Sequence, residues 1–134
     1  LALAQDQLLL LYADGHVESC RRTVETDLSG SSRIRVECDP NLRFQDERPG
    51  FGESASIPGA LPARVVYSPP PEPSLYFLDS ASGDIYLYSM RLVYQGRFLP
   101  SEPLDALPSA ITVGPPNELF VAVEDQVYYA EPLR

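Results

Sequence analysis

The sequence predicts an all-β fold of antiparallel strands arranged in about three repeated units. Three observations carry this. Helical periodicity is scarce, because 14 prolines in 134 residues leave few windows that could hold a helix interior. Short runs rich in Val, Ile, Leu, Tyr and Phe recur between Pro, Gly, Asp, Asn and Ser, which is the pattern of strands bounded by turns. The runs also follow one another in the same order three times. A β-sandwich, where short strands at similar spacing are also expected, is the alternative.

Residues 2–4 and 7–12 are expected strands, the second ending in the turn Ala13-Asp14-Gly15. Residues 16–25 and 33–38 form a hairpin around Asp27, Ser29, Gly30, Ser31 and Ser32. A hairpin centred near Ser29 sets Cys20 opposite Cys38, Arg22 opposite Val36 and Val24 opposite Ile34, all on one face. Directly opposed cysteines have the short separation a disulfide requires. Two free buried thiols are the other reading. The disulfide is preferred, and it places the chain outside the cytoplasm, whether secreted, periplasmic or membrane-anchored on the outer side.

Residues 39–59 read as a long irregular loop of turn chemistry. Strands follow at 63–67 and 74–79, separated by SPPPEP (68–73), which reads as a rigid connector rather than a polyproline docking strip. The turn at 80–83 leads to strands at 84–90 and 91–98. Three further strands are expected at 110–113, 118–123 and 126–130.

The repeat is visible in the residues themselves. Ala60-Leu61-Pro62 returns as Ala106-Leu107-Pro108; the strands ARVVY and SAITV follow; then come SLYFLD and ELFVAV, then DIYLYS and QVYYAE. The N-terminal LALA, LLLLYADG and HVESC obey the same plan. A recurring antiparallel unit of this size is the mark of β-propeller blades, each sheet burying too little alone and stacking on its neighbours. SLYFLDSASGDIYLYS (74–89) resembles the central hairpin of blades in NHL, YVTN and quinoprotein-like propellers. The resemblance implies a fold and no particular activity. The units lie near 1–38, 60–99 and 106–131, with the loop 39–59 between the first two, in a single all-β domain of residues 1–134. Three units, the last incomplete, fall short of a closed ring. The first residue is leucine, so a processed product or a segment of a larger protein is expected.

Charge excludes some partners. Nineteen acids against ten bases, every base an arginine, give a net charge of −9, and a chain without a basic patch does not neutralise nucleic-acid phosphates. No uninterrupted apolar run reaches the length that spans a bilayer, so direct insertion by this segment is not expected. His16 is the one histidine, beside a turn, and no G-x-S-x-G elbow or phosphate-binding glycine loop accompanies it. No catalytic residue, metal or cofactor is expected. The carboxylates of Asp79 and Asp84 read as turn chemistry around Gly83 rather than a calcium site.

The expected role is therefore a non-catalytic interaction or scaffold module. A carbohydrate-binding domain, or part of a hydrolase whose catalytic residues lie elsewhere, are the alternatives. The surface expected to meet a ligand combines Arg43, Phe44, Arg48 and Phe51 of the long loop with Tyr86, Tyr88, Tyr128 and Tyr129 of the aromatic strands. Packing between blades is the competing reading for the tyrosines. The partner would be another protein, the remainder of its own polypeptide, or a further copy of the chain.

Overall fold

The structure, a computed structural model, describes residues 2–4, 7–58, 62, 64–68, 73–79, 81–98, 106–114 and 118–130. Its strands run in chain order as β1 (Ala2–Ala4), β2 (Gln7–Leu11), β3 (Val17–Thr26), β4 (Ser32–Asp39), β5 (Phe44–Gln45) and β6 (Glu53–Ser54). They continue as β7 (Arg64–Ser68), β8 (Ser74–Leu78), β9 (Ile85–Ser89), β10 (Tyr94–Phe98), β11 (Ala110–Gly114), β12 (Glu118–Val123) and β13 (Gln126–Ala130). No helix occurs among the described residues. The strands pair antiparallel in sequence order, giving a four-stranded sheet β1–β4, a four-stranded sheet β7–β10 and a three-stranded sheet β11–β13. A two-stranded hairpin, β5–β6, lies between the first two sheets in sequence.

Local chemistry fixes the registers. In the β3–β4 turn the Asp27 carboxylate accepts from the backbone N–H groups of Ser29 and Ser31 and from the Ser29 hydroxyl, while Gly30 takes a φ of 85° that favours glycine. The hairpin so closed pairs Cys20 with Cys38, Arg22 with Val36 and Val24 with Ile34, the register expected from the sequence. Cys20 and Cys38 are joined, their sulfurs 2.08 Å apart. In the β8–β9 turn the Asp79 carboxylate accepts from the Ala81 N–H, Gly83 takes a φ of 81°, and Asp84 pairs with Arg97 of β10 at 2.9 Å.

Alternation along the strands divides the interior in two. On one face of the second sheet, Val65, Leu75, Phe77, Tyr86 and Tyr88 pack with Leu9 and Val17 of the first sheet and with Phe44 and Ile57. On its other face, Tyr76, Leu78, Ile85 and Phe98 pack with Ile111, Leu119, Val121 and Val123 of the third sheet. The second sheet is thus buried on both faces, which explains the near-continuous burial of SLYFL in β8. The leading strands gather at one side of this stack: β7 lies next to β1 and next to β11.

Two expectations are corrected. The strand expected at 91–98 begins at Tyr94, because residues 90–92 form a turn. Leu92 adopts a φ of 62°, and the Ser89 hydroxyl accepts from the N–H groups of Arg91 and Val93. The segment 39–59, expected as an irregular loop, contains the β5–β6 hairpin and enters the core. Its backbone is tied to the second sheet by Gln45 N–H donating to the Leu92 carbonyl at 2.8 Å, and to the first sheet by a bridge between Ser56 and His16. The proline connector expected at 68–73 lies outside the described residues for positions 69–72.

Candidate interaction surfaces

The ligand surface expected from the sequence does not form as one patch. Phe44 is 0% exposed and meets Phe77 and Tyr88 edge-on, with centroids 5.5 and 5.1 Å away. Tyr86 and Tyr88 are buried on the same face of the second sheet. These three residues are core, and the expectation that they meet a ligand is corrected by their burial. Burial also pushes the Tyr86 hydroxyl above the usual tyrosine range and the Tyr88 hydroxyl well above it. Arg43 is exposed, and Phe51 is exposed beside Arg48.

Arg48 is occupied by its own loop. Its Nε and Nη2 donate to both carboxylate oxygens of Asp46. Its guanidinium stacks 3.7 Å from the Tyr94 ring centroid and 4.4 Å from that of Phe51. Bidentate pairing with ring stacking is the geometry that arginine supports and lysine does not. The Asp46 side chain is 0% exposed and the Arg48 side chain 35%. Hydrogen bonds from the Arg48 side chain hold the Asp46 carboxyl below the usual carboxylate range, against the opposing effect of burial.

A depressed folded-state value means that the pair contributes stability above the unfolded value of about 4 and loses it as pH falls through the folded value. Thermal melts between neutral pH and about pH 2 should therefore show an acid-side loss that Asp46→Asn reduces. Arg48→Ala, which leaves the carboxylate buried without its partner, should cost about 2 kcal/mol at neutral pH. A wild-type acid limb unchanged in Asp46→Asn would show that the pair has no such role.

His16 is held on the surface by carboxylates on both sides. Asp14 bonds to its Nδ1, Glu18 lies 3.9 Å from its Nε2, and the Tyr12 ring stacks on it at 4.2 Å. Tyr12 in turn donates to Glu18 at 2.9 Å. Hydrogen bonds from the His16 backbone and ring lower the Asp14 carboxyl. Both ring nitrogens face carboxylates, so this arrangement does not present the ring to a serine hydroxyl.

The exposed apolar surface lies instead at the two ends of the stack. β3 and β4 run on past β2, forming an arm braced at its base by the disulfide. On one face of that arm, Val24, Ile34 and Val36 are 60%, 64% and 61% exposed. Arg35 pairs with Glu25 and Glu37 on the opposite face. Alternation in the sequence sets these three apolar residues on one face with Arg22 and the two cysteines. Their exposure was still legible in one signal, since the hairpin strands are longer than the strand 7–12 that could cover them.

At the other end, the outer face of the third sheet carries Phe120, Val127 and Tyr129. Phe120 is opposite Tyr129 in register with centroids 5.8 Å apart, and Val127 and Tyr129 are more than half exposed. Tyr128 points to the inner side of β13 and donates to Gln126 at 2.7 Å. Of the eight expected contact residues, Arg43, Phe51, Tyr128 and Tyr129 thus remain at the surface, on two separate elements. No protein-family model, curated protein or solved structure matches the chain.

Proposed function

We propose that this chain is a non-catalytic interaction module of an exported or membrane-anchored protein, built as an arc of β-propeller blades. The observation that carries the reading is the arm. Solvent-exposed valine and isoleucine on one face of a disulfide-braced hairpin are a contact surface, since contiguous exposed apolar groups mark sites of association. The disulfide supports an oxidising compartment. Meandering sheets stacked face to face, with their leading strands side by side, support the blade reading.

A photo-reactive amino acid placed at Ile34 tests it, with Arg33 on the opposite face as control. Irradiation of producing cells should give a discrete polypeptide adduct from position 34 and little from position 33. The reading fails if neither position yields an adduct above the unirradiated background.

A further inference from the structure

The three sheets stack by one rule. In the second strand of each, the first residues are Gln7-Leu8-Leu9, Ser74-Leu75-Tyr76 and Glu118-Leu119-Phe120. Leu75 and Leu119 turn toward the preceding sheet. Leu9 and Tyr76, one position later, turn toward the following sheet. The same holds two residues on, where Phe77 and Val121 face back and Leu11 and Leu78 face forward. Each internal contact is therefore a forward face laid on a backward face, and it occurs twice within the molecule.

Among the described residues, one face of each kind is left over. The forward face of the third sheet presents Phe120, Ala122, Val127 and Tyr129, which occupy the positions of Tyr76, Leu78, Ile85 and Leu87 in the second sheet. In the second sheet those positions are filled by the neighbouring sheet. The backward face of the first sheet presents Leu8 and Leu10, then the Cys20–Cys38 bridge, then Val36, Val24 and Ile34. The charges also complement each other. The described residues of the third sheet carry Glu118, Glu124 and Asp125 and no base. The backward face of the β3–β4 hairpin carries Arg22, set in register against Val36 and in no ion pair among the described residues, while Arg21 and Arg33 lie on the other face.

From this we infer that the occupant of both open faces is a second copy of the chain, the forward face of the third sheet of one copy seating on the backward face of the first sheet of the other. The inference rests on the interaction-module reading and names its partner. The contact is heterologous, because two different faces meet, and such contacts close when the rotation per subunit allows. Two copies of three sheets give six, within the four to eight blades with which propeller rings close. The Ile34 side of the arm then lies at the seam.

Solution mass across a dilution series, with two face variants, tests the inference. The wild-type chain should sediment at twice its 14.8 kDa and dissociate on dilution. Tyr129→Glu, on the forward face, and Val36→Glu, on the backward face, should each be monomeric and melt as the wild type does when diluted to monomer, since both positions are solvent-exposed in the single copy. Leu10→Gln serves as a second backward-face variant. An equimolar mixture of Tyr129→Glu and Val36→Glu should recover a dimer, because one contact then has both faces intact. A wild-type chain that stays monomeric at every concentration overturns the inference, as does a mixture that fails to associate. An Ile34 adduct to some other polypeptide beside a monomeric mass leaves the interaction-module reading standing without this partner; the absence of any adduct removes both.

Discussion

Phe44→Ala should destabilise the protein by about 3–5 kcal/mol, the range for truncating a fully buried phenylalanine when the space it leaves cannot fully collapse. The side chain is 0% exposed and completes a triangle of edge-to-face rings with Phe77 and Tyr88, whose own centroids are 5.7 Å apart. Aromatic pairs of this geometry add to the area they bury. The effect should reach beyond the ring. Phe44 is adjacent to Gln45, whose N–H bonds to the Leu92 carbonyl and which bridges to Val93. Losing the ring therefore loosens the seam between the 39–58 segment and the second sheet. Urea unfolding with an unchanged slope measures the loss as a lower midpoint. Arg43→Ala, one residue away and exposed, should stay within about 0.5 kcal/mol of wild type. A Phe44→Ala midpoint equal to that of Arg43→Ala would show that the segment does not share the core.

That contrast marks where the sequence stops being legible. The β3–β4 register follows from local chemistry, because Asp27, Gly30 and strict alternation specify one hairpin and a slip of one residue would reverse every side chain. The order of strands follows equally from the repeated runs and their turns. The turn at 90–92 does not, because it is made by the Ser89 hydroxyl and by a leucine at positive φ, a conformation rare for such a residue. Leu92 is 1% exposed, so tertiary packing holds a backbone that no local signal announces. Phe44 and Ile57 are single apolar residues in polar surroundings, and their burial is decided by partners far along the chain. For Tyr86 and Tyr88, alternation places both on one face but does not say what that face meets. A neighbouring sheet and Phe44 meet it, which is why three of the eight expected contact residues became core while the surface moved to the arm.

The largest effect outside the core should come from reducing the Cys20–Cys38 bridge, at about 3 kcal/mol. The two residues are 18 apart in sequence, and closing a loop of that length removes conformational freedom from the unfolded chain. The arm makes the bridge matter locally as well. Beyond Cys20 its ladder runs from Arg21–Glu37 to Thr26–Ser32, and among the described residues no third strand extends past Gln7, which pairs with Arg21. A two-stranded ribbon is marginal by itself, and Val24, Ile34 and Val36 gain little from burial while they stand exposed. The turn bonds of Asp27 close its tip, and the bridge fixes its base. Comparing the oxidised chain with the reduced wild type keeps both sulfurs in place, so the difference reports the cross-link and not a cavity at buried Cys20. Reduction should lower the urea midpoint and raise amide exchange across residues 21–37 more than in β8 and β9. If the arm exchanges at the same rate with and without the bridge, its rigidity comes from the hairpin alone, and the face carrying Ile34 does not depend on the disulfide for its shape.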